Sequence, residues 1–170
     1  MATVTDTVIE DVIADVFEDL LLIDGAGTYF LDLEERIFRH ERRPLEPDAP
    51  ACPYLCLGGT RIMPPRGLEE QPNNWENWEI ELDLYLYVSI DKDDPDQAHR
   101  NLVLGLSDIN QAVKIDEQRN GLAGNTWVTG PVEIETITSK ESPLLKRAGM
   151  KVPVRISGLR SKRGDMTRVS

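Results

Sequence analysis

Three carboxylates at alternate positions, Glu79, Glu81 and Asp83, are the residues best placed by type and spacing for general acid–base work. On an extended strand, successive carboxylates of one face lie about 7 Å apart, a workable separation for such a pair. Their sequence context offers nothing to complete a site: no adjacent histidine, no phosphate-binding glycine loop and no nucleophile elbow. Cys52 and Cys56 are a second candidate, since two thiols four apart on a strand can share a face. Zinc needs four ligands, however, and the nearest histidine is His40, with only His99 besides, so buried small residues are the better account. The acidic run Asp91–Asp96 lacks the glycine and the distant glutamate of a calcium loop, and Pro95 fits a helix entry. Gly58-Gly59 and Gly121-Leu122-Ala123-Gly124 are turns, because neither sits between a strand and a helix with the third glycine a dinucleotide site needs. Arg163-Gly164-Asp165 is a chance tripeptide. These residues imply no enzyme, no metal and no cofactor.

Composition narrows the classes further. The 170 residues suffice for one domain with a real core, and 40% hydrophobic against 29% charged residues suits a folded, soluble chain. A net charge of −11 disfavours general binding to nucleic acid or anionic membranes, because an acidic surface repels phosphate. No apolar run approaches the roughly 20 residues that span a bilayer, and the first residues lack the basic region of a secretory signal. Two cysteines allow at most one disulfide, so a stapled secreted scaffold is not expected. The charge is uneven: residues 1–150 carry about −16 and residues 151–170 about +5. That asymmetry allows head-to-tail pairing between copies, beside the plainer reading of a solvated basic end at 160–170.

The elements that must position these residues follow from periodicity. Val8/Ile9, Val12/Ile13, Val16/Phe17 and Leu20/Leu21 predict an amphipathic helix over 5–23, closed by Gly25 and Gly27. Thr28–Leu33 reads as a strand, 34–40 as its extension or a short helix, and Cys52–Leu57 as a second strand. Residues 60–74, with Pro64, Pro65 and Pro72, read as a long loop or arm. Trp78, Ile80, Leu82, Leu84, Leu86, Val88 and Ile90 alternate without a break, which predicts a long strand with one apolar and one acidic-aromatic face. A second helix opens at Asp94, whose side chain is expected to cap the Gln97 N–H, and buries Ala98, Leu102, Leu106, Ile109 and Val113. Strands over Trp127–Thr138 and Met150–Ile156 complete the domain, joined by a polar connection, 139–149. In the latter, Val152, Val154 and Ile156 face one way and Lys151 and Arg155 the other. The expected fold class is α+β, two helices packed on one face of a mainly antiparallel sheet, in a single domain over 1–159.

Taken as a unit, this order resembles the tail terminator (tail-completion) proteins of long-tailed bacteriophages, the group that includes the minor tail protein U of lambda-like phages. The resemblance covers residues 4–159. It is carried by the opening helix Val4–Leu22, the aromatic Thr28-Tyr29-Phe30, the Pro-led Cys52-Pro53-Tyr54-Leu55-Cys56-Leu57, and a long arm. Trp78–Ile90, the helix Asp94–Val113 and a closing strand pair follow. The 60–74 segment and the basic tail depart from the shortest members and leave the slot in the neck open. The resemblance implies a virion protein of the neck, at the top of the tail, made and assembled in the host cytoplasm. It implies a homohexameric ring that ends tail-tube polymerisation, meets the tube protein on one side and a head-closure protein on the other, and lets genomic DNA pass without specific binding. Glu79, Glu81 and Asp83 are then the candidate lumen residues, since an acidic wall does not grip phosphate. Arg61, Arg66, Trp75, Lys151, Arg155, Arg160, Lys162 and Arg163 are the candidate inter-subunit or partner contacts.

Three other readings compete. A head-closure (stopper) or other neck ring differs only in which partner it meets. A non-viral α+β binding module would use Trp75, Trp78 and the 60–74 region as a ligand surface. A hydrolase built on the acidic strand would need a carboxylate perturbed inside a cleft.

Overall fold

The unbroken alternation around residues 78–90 forms the axis of the fold. In the computed structural model, which describes residues 4–33, 35–63, 75–115, 128–138, 145–162 and 165–168, it lies in strand β3 (Trp75–Ser89). Ile80, Leu82, Leu84, Leu86 and Val88 are all buried on one face. The helices α1 (Val4–Leu20) and α2 (Pro95–Lys114) pack there, and one apolar core unites Val12, Val16 and Leu20 of α1 with Leu102, Ile109 and Val113 of α2.

The other strands are β1 (Ile37–Phe38), β2 (Tyr54–Met63), β4 (Thr129–Ile137), β5 (Leu145–Lys162) and β6 (Asp165–Arg168). Their order in the sheet is β1-β2-β3-β5-β4, with β6 paired to the far end of β5. Only the two-residue β1–β2 pairing is parallel. Every other pair is antiparallel. The fold is therefore α+β, with both helices on one face of a mainly antiparallel sheet, as the periodicities imply.

Several boundaries differ from the sequence reading, each for a local reason. Residues 28–33 do not form a strand: an isolated bridge joins Asp24 and Asp32, and the Phe30 and Leu31 N–H groups donate to a side chain instead of a ladder. The second strand continues through the Gly58-Gly59 bulge to Met63, so residues 60–63 of the expected arm belong to β2. The rest of that arm, residues 64–74, lies outside the described residues. Strand β5 absorbs much of the expected 139–149 connection and extends to Lys162. Residues 160–162 and 165–168, expected as a solvated basic end, pair with each other, and β6 lies against α1. At the start of α2 the Asp94 carboxylate does not cap the helix. Its backbone carbonyl accepts from Gln97 N–H, while the carboxylate takes the Arg100 guanidinium at 2.8 Å.

Helix α2 comes close to the sheet at Gly105. A Cβ there would lie 2.5 Å from both Leu31 Cδ1 and Leu86 Cδ2. Overpacking costs about 1–3 kcal/mol, against about 1 kcal/mol of helix propensity gained by replacing glycine. Gly105→Ala is therefore expected to destabilise the fold by about 1 kcal/mol net, read as a lower urea midpoint. An unchanged or higher midpoint would show that α2 has slack over β3.

Candidate functional site

The face of the sheet away from the helices carries Glu79, Glu81 and Asp83. Its layout follows from the register, because directly opposed residues of neighbouring strands share a face. Arg61 of β2 lies opposite Glu81, which lies opposite Pro153 of β5. Glu79 is opposed by Met63 and Arg155, and Asp83 by Gly59 and Lys151. The three acids of β3 thus alternate with Arg61, Lys151 and Arg155 across the sheet, giving a lattice of opposite charges instead of a purely acidic strip. Glu81 takes Arg61 Nη1 at 3.5 Å and has only 14% of its side chain exposed. The Arg61 side of the pair is open to solvent, 61% exposed, so the pair stabilises by no more than about 1 kcal/mol and sets the character of the surface more than the stability of the fold. The Asp83 carboxylate leans over Gly59, where a Cβ would sit 3.8 Å from Oδ2.

Trp75 lies opposite Arg160 at the start of β3, and Lys162 ends β5 opposite Asp165. Arg66 and Arg163 fall outside the described residues. The candidates therefore divide: Glu79, Glu81, Asp83, Arg61, Lys151 and Arg155 share one patch, whereas Trp75, Arg160 and Lys162 sit at the far end of the β3–β5 ladder.

Toward the other end the same face becomes aromatic. Tyr54 and Tyr87, opposed in register, stack with ring centroids 4.7 Å apart, and Phe38 meets Tyr54 edge-on. The Tyr54 hydroxyl donates to the Arg42 carbonyl at 3.1 Å, so the segment after β1 covers this part of the sheet. Arg147 lies 4.8 Å over the Tyr85 ring and pairs with Glu135 of β4. Burial pushes the Cys52 thiol up to about 11, opposed only by Arg36, and it raises Cys56 as well. Both cysteines are free, and thiols held protonated in this way are poor nucleophiles and poor metal ligands. Among the described residues no group of three or more His, Cys, Asp or Glu side chains is placed to hold a metal ion, and no helix is long and apolar enough to cross a membrane.

The raised groups predict a pH dependence. Burial also raises the Tyr54 and Tyr87 phenols. Above the ordinary thiol and phenol values of 9.0 and 10.0, the unfolded chain loses protons that the folded chain retains. Stability is then flat below about pH 9 and falls as pH rises beyond it. Urea midpoints measured from pH 7 to 11 should follow that shape, and Tyr54→Phe should flatten the decline. A midpoint that holds steady to pH 11 would contradict the burial of this cluster.

Two residues that matter escaped the sequence reading. Asp108, 1% exposed, accepts from Phe30 N–H at 3.0 Å and Leu31 N–H at 2.8 Å, fastening the 24–33 segment to α2. Its position, three after Gly105 and four before Ala112, was the available signal, since that spacing places a carboxylate on the buried side of the helix. The other is Arg147, whose partners Tyr85 and Glu135 are brought together only by strand pairing.

No protein-family model matches the chain, and no curated protein matches it. Among solved structures it is similar to a chain from the virion of the native gene transfer agent (GTA) particle. That superposition covers 85% of this chain and 93% of the other, with a TM-score of 0.39 and 11% identity.

Proposed function

We propose that this chain is a structural protein of a tailed-phage-type virion. In this reading it forms a hexameric ring at the neck that ends the tail tube, meets the tube protein below and a head-closure protein above, and leaves an open centre for DNA. The observation that carries the reading is the division of the sheet into two unlike faces. Both helices and the whole main core occupy one face, while on the distal part of the other acidic residues of β3 stand in register with basic residues of β2 and β5, Arg61 pairing with Glu81. A ring wall needs such a division, with a packed outer layer and a polar inner surface.

The inner surface in this proposal is the patch of Glu79, Glu81, Asp83, Arg61, Lys151 and Arg155. With acids and bases interleaved it offers passing DNA no continuous basic track, and phosphate contacts that require released counterions do not accumulate. The role is structural, not catalytic. The test is immuno-electron microscopy of virions from the source culture with an antibody raised against this chain. Label concentrated at the head–tail junction is the expected result; label along the tail shaft, at its tip, or absent from particles would refute the neck assignment.

A further inference from the structure

The sheet has two outer edges that are not covered equally. On one side β1 pairs only with Leu55 and Cys56, so among the described residues nothing pairs with the outer edge of Leu57–Met63. On the other side nothing among the described residues pairs with the outer edge of β4. Unpaired edges invite strand addition, and natural sheets commonly guard them with charge, proline or bulges. Strand β4 has such guards at its start, Pro131 and the bulge between Thr129 and Glu133, but its second half is regular.

The side chains on the two edges match face for face. Ile62 is 45% exposed and lies opposite Ile80, and Ile134 is 38% exposed and lies opposite Ala148, itself opposite Leu86. Both isoleucines therefore belong to the helix-covered face, one at each edge. Arg61 belongs to the other face through Glu81, and so do exposed Glu133 and Glu135, through Gly149–Tyr85 and Arg147–Tyr87. Strands β2 and β4 also run in opposite directions, because three antiparallel pairings separate them.

We infer that copies of this chain join head to tail by antiparallel pairing of the β4 edge of one copy with the free β2 edge of the next. This pairing rests on the ring reading above and supplies its interface. It packs Ile134 beside Ile62 on the helix side, and it sets Glu133 and Glu135 beside Arg61 on the charged side, so both faces continue from copy to copy. A contact between two different edges is heterologous, and it closes into a ring when the rotation per copy divides a full turn. The register also sets a step. Ile62 and Ile134 stand level with Ile80 and Leu86 of β3, six residues apart along the strand. That is about 20 Å of displacement for about 19 Å of sheet width, a strand tilt near 45°, close to the range seen in closed sheets.

The test uses the full chain in a Cys52→Ala background, with light scattering, negative-stain images and a short bis-maleimide cross-linker. Ile62→Cys combined with Ile134→Cys should give a ladder of covalent multimers on denaturing gels, while each single variant gives none. Ile134→Lys should convert the assembly to monomer with unchanged circular dichroism. Arg61→Glu should weaken it at least tenfold, and Arg61→Glu with Glu135→Arg, the residue directly opposite in this register, should recover most of that loss. A ring that forms without the double-cysteine ladder, or that survives Ile134→Lys, overturns the edge pairing and leaves the ring reading standing. A monomer at the highest soluble concentration overturns both.

Discussion

Asp108→Ala is expected to lower stability by about 3 kcal/mol, because hydrogen bonds to a charged acceptor contribute about 1.5–3 kcal/mol each and the orphaned Leu31 N–H stays buried. The carboxylate receives the N–H groups of Phe30 and Leu31, and no other charged residue is buried among the described residues. In a domain of this size that loss moves the thermal midpoint down by about 6–12 °C. Asp108→Asn, which keeps one acceptor oxygen, should recover roughly half. The measurement is calorimetry of the three proteins side by side. Equal midpoints for Asp108→Ala and the parent would mean that the 24–33 segment is held by its apolar contacts alone.

Tyr54→Ala should cost still more, about 3–5 kcal/mol, since it empties a fully buried aromatic site. The ring stacks on Tyr87, touches Phe38 edge-on and anchors the Arg42 carbonyl, so its removal uncovers one end of the far face. Tyr54→Phe removes only the hydroxyl and is expected to cost about 1 kcal/mol. Denaturant unfolding of the two variants separates packing from hydrogen bonding. A Tyr54→Ala protein within 1 kcal/mol of Tyr54→Phe would show that the 39–53 segment does not depend on this ring.

How much of this was legible beforehand differs from element to element. The helices and β3 were, because their side-chain periods are long and uninterrupted: Val12, Val16 and Leu20 lie one helical turn apart, and Ile80 to Val88 keep strict period two. Residues 28–33 were misread because Tyr29, Phe30 and Leu31 have strand-forming side chains, while the partner that takes the Phe30 and Leu31 N–H groups, Asp108, is 78 and 77 positions away. The Asp94 cap was misread because Arg100, one and a half turns on, competes for its carboxylate.

The candidate site was legible by residue and not by arrangement. Alternation alone put Glu79, Glu81 and Asp83 on one face, and it put Lys151 and Arg155 opposite Val152 and Val154. That the acids and bases stand against one another in register depends on how β3 and β5 pair, which no local pattern encodes. The same holds for the two sheet edges: Ile62 and Ile134 are unremarkable residues until the strand order places them at opposite margins with matching faces.

Closure of this chain into a ring is tested by the mass of the purified protein by light scattering with negative-stain images of the same sample. The expected result is a species six times 19.2 kDa, seen as a ring with an open centre. A single species of 19.2 kDa at every concentration, with no ring in the images, would contradict it.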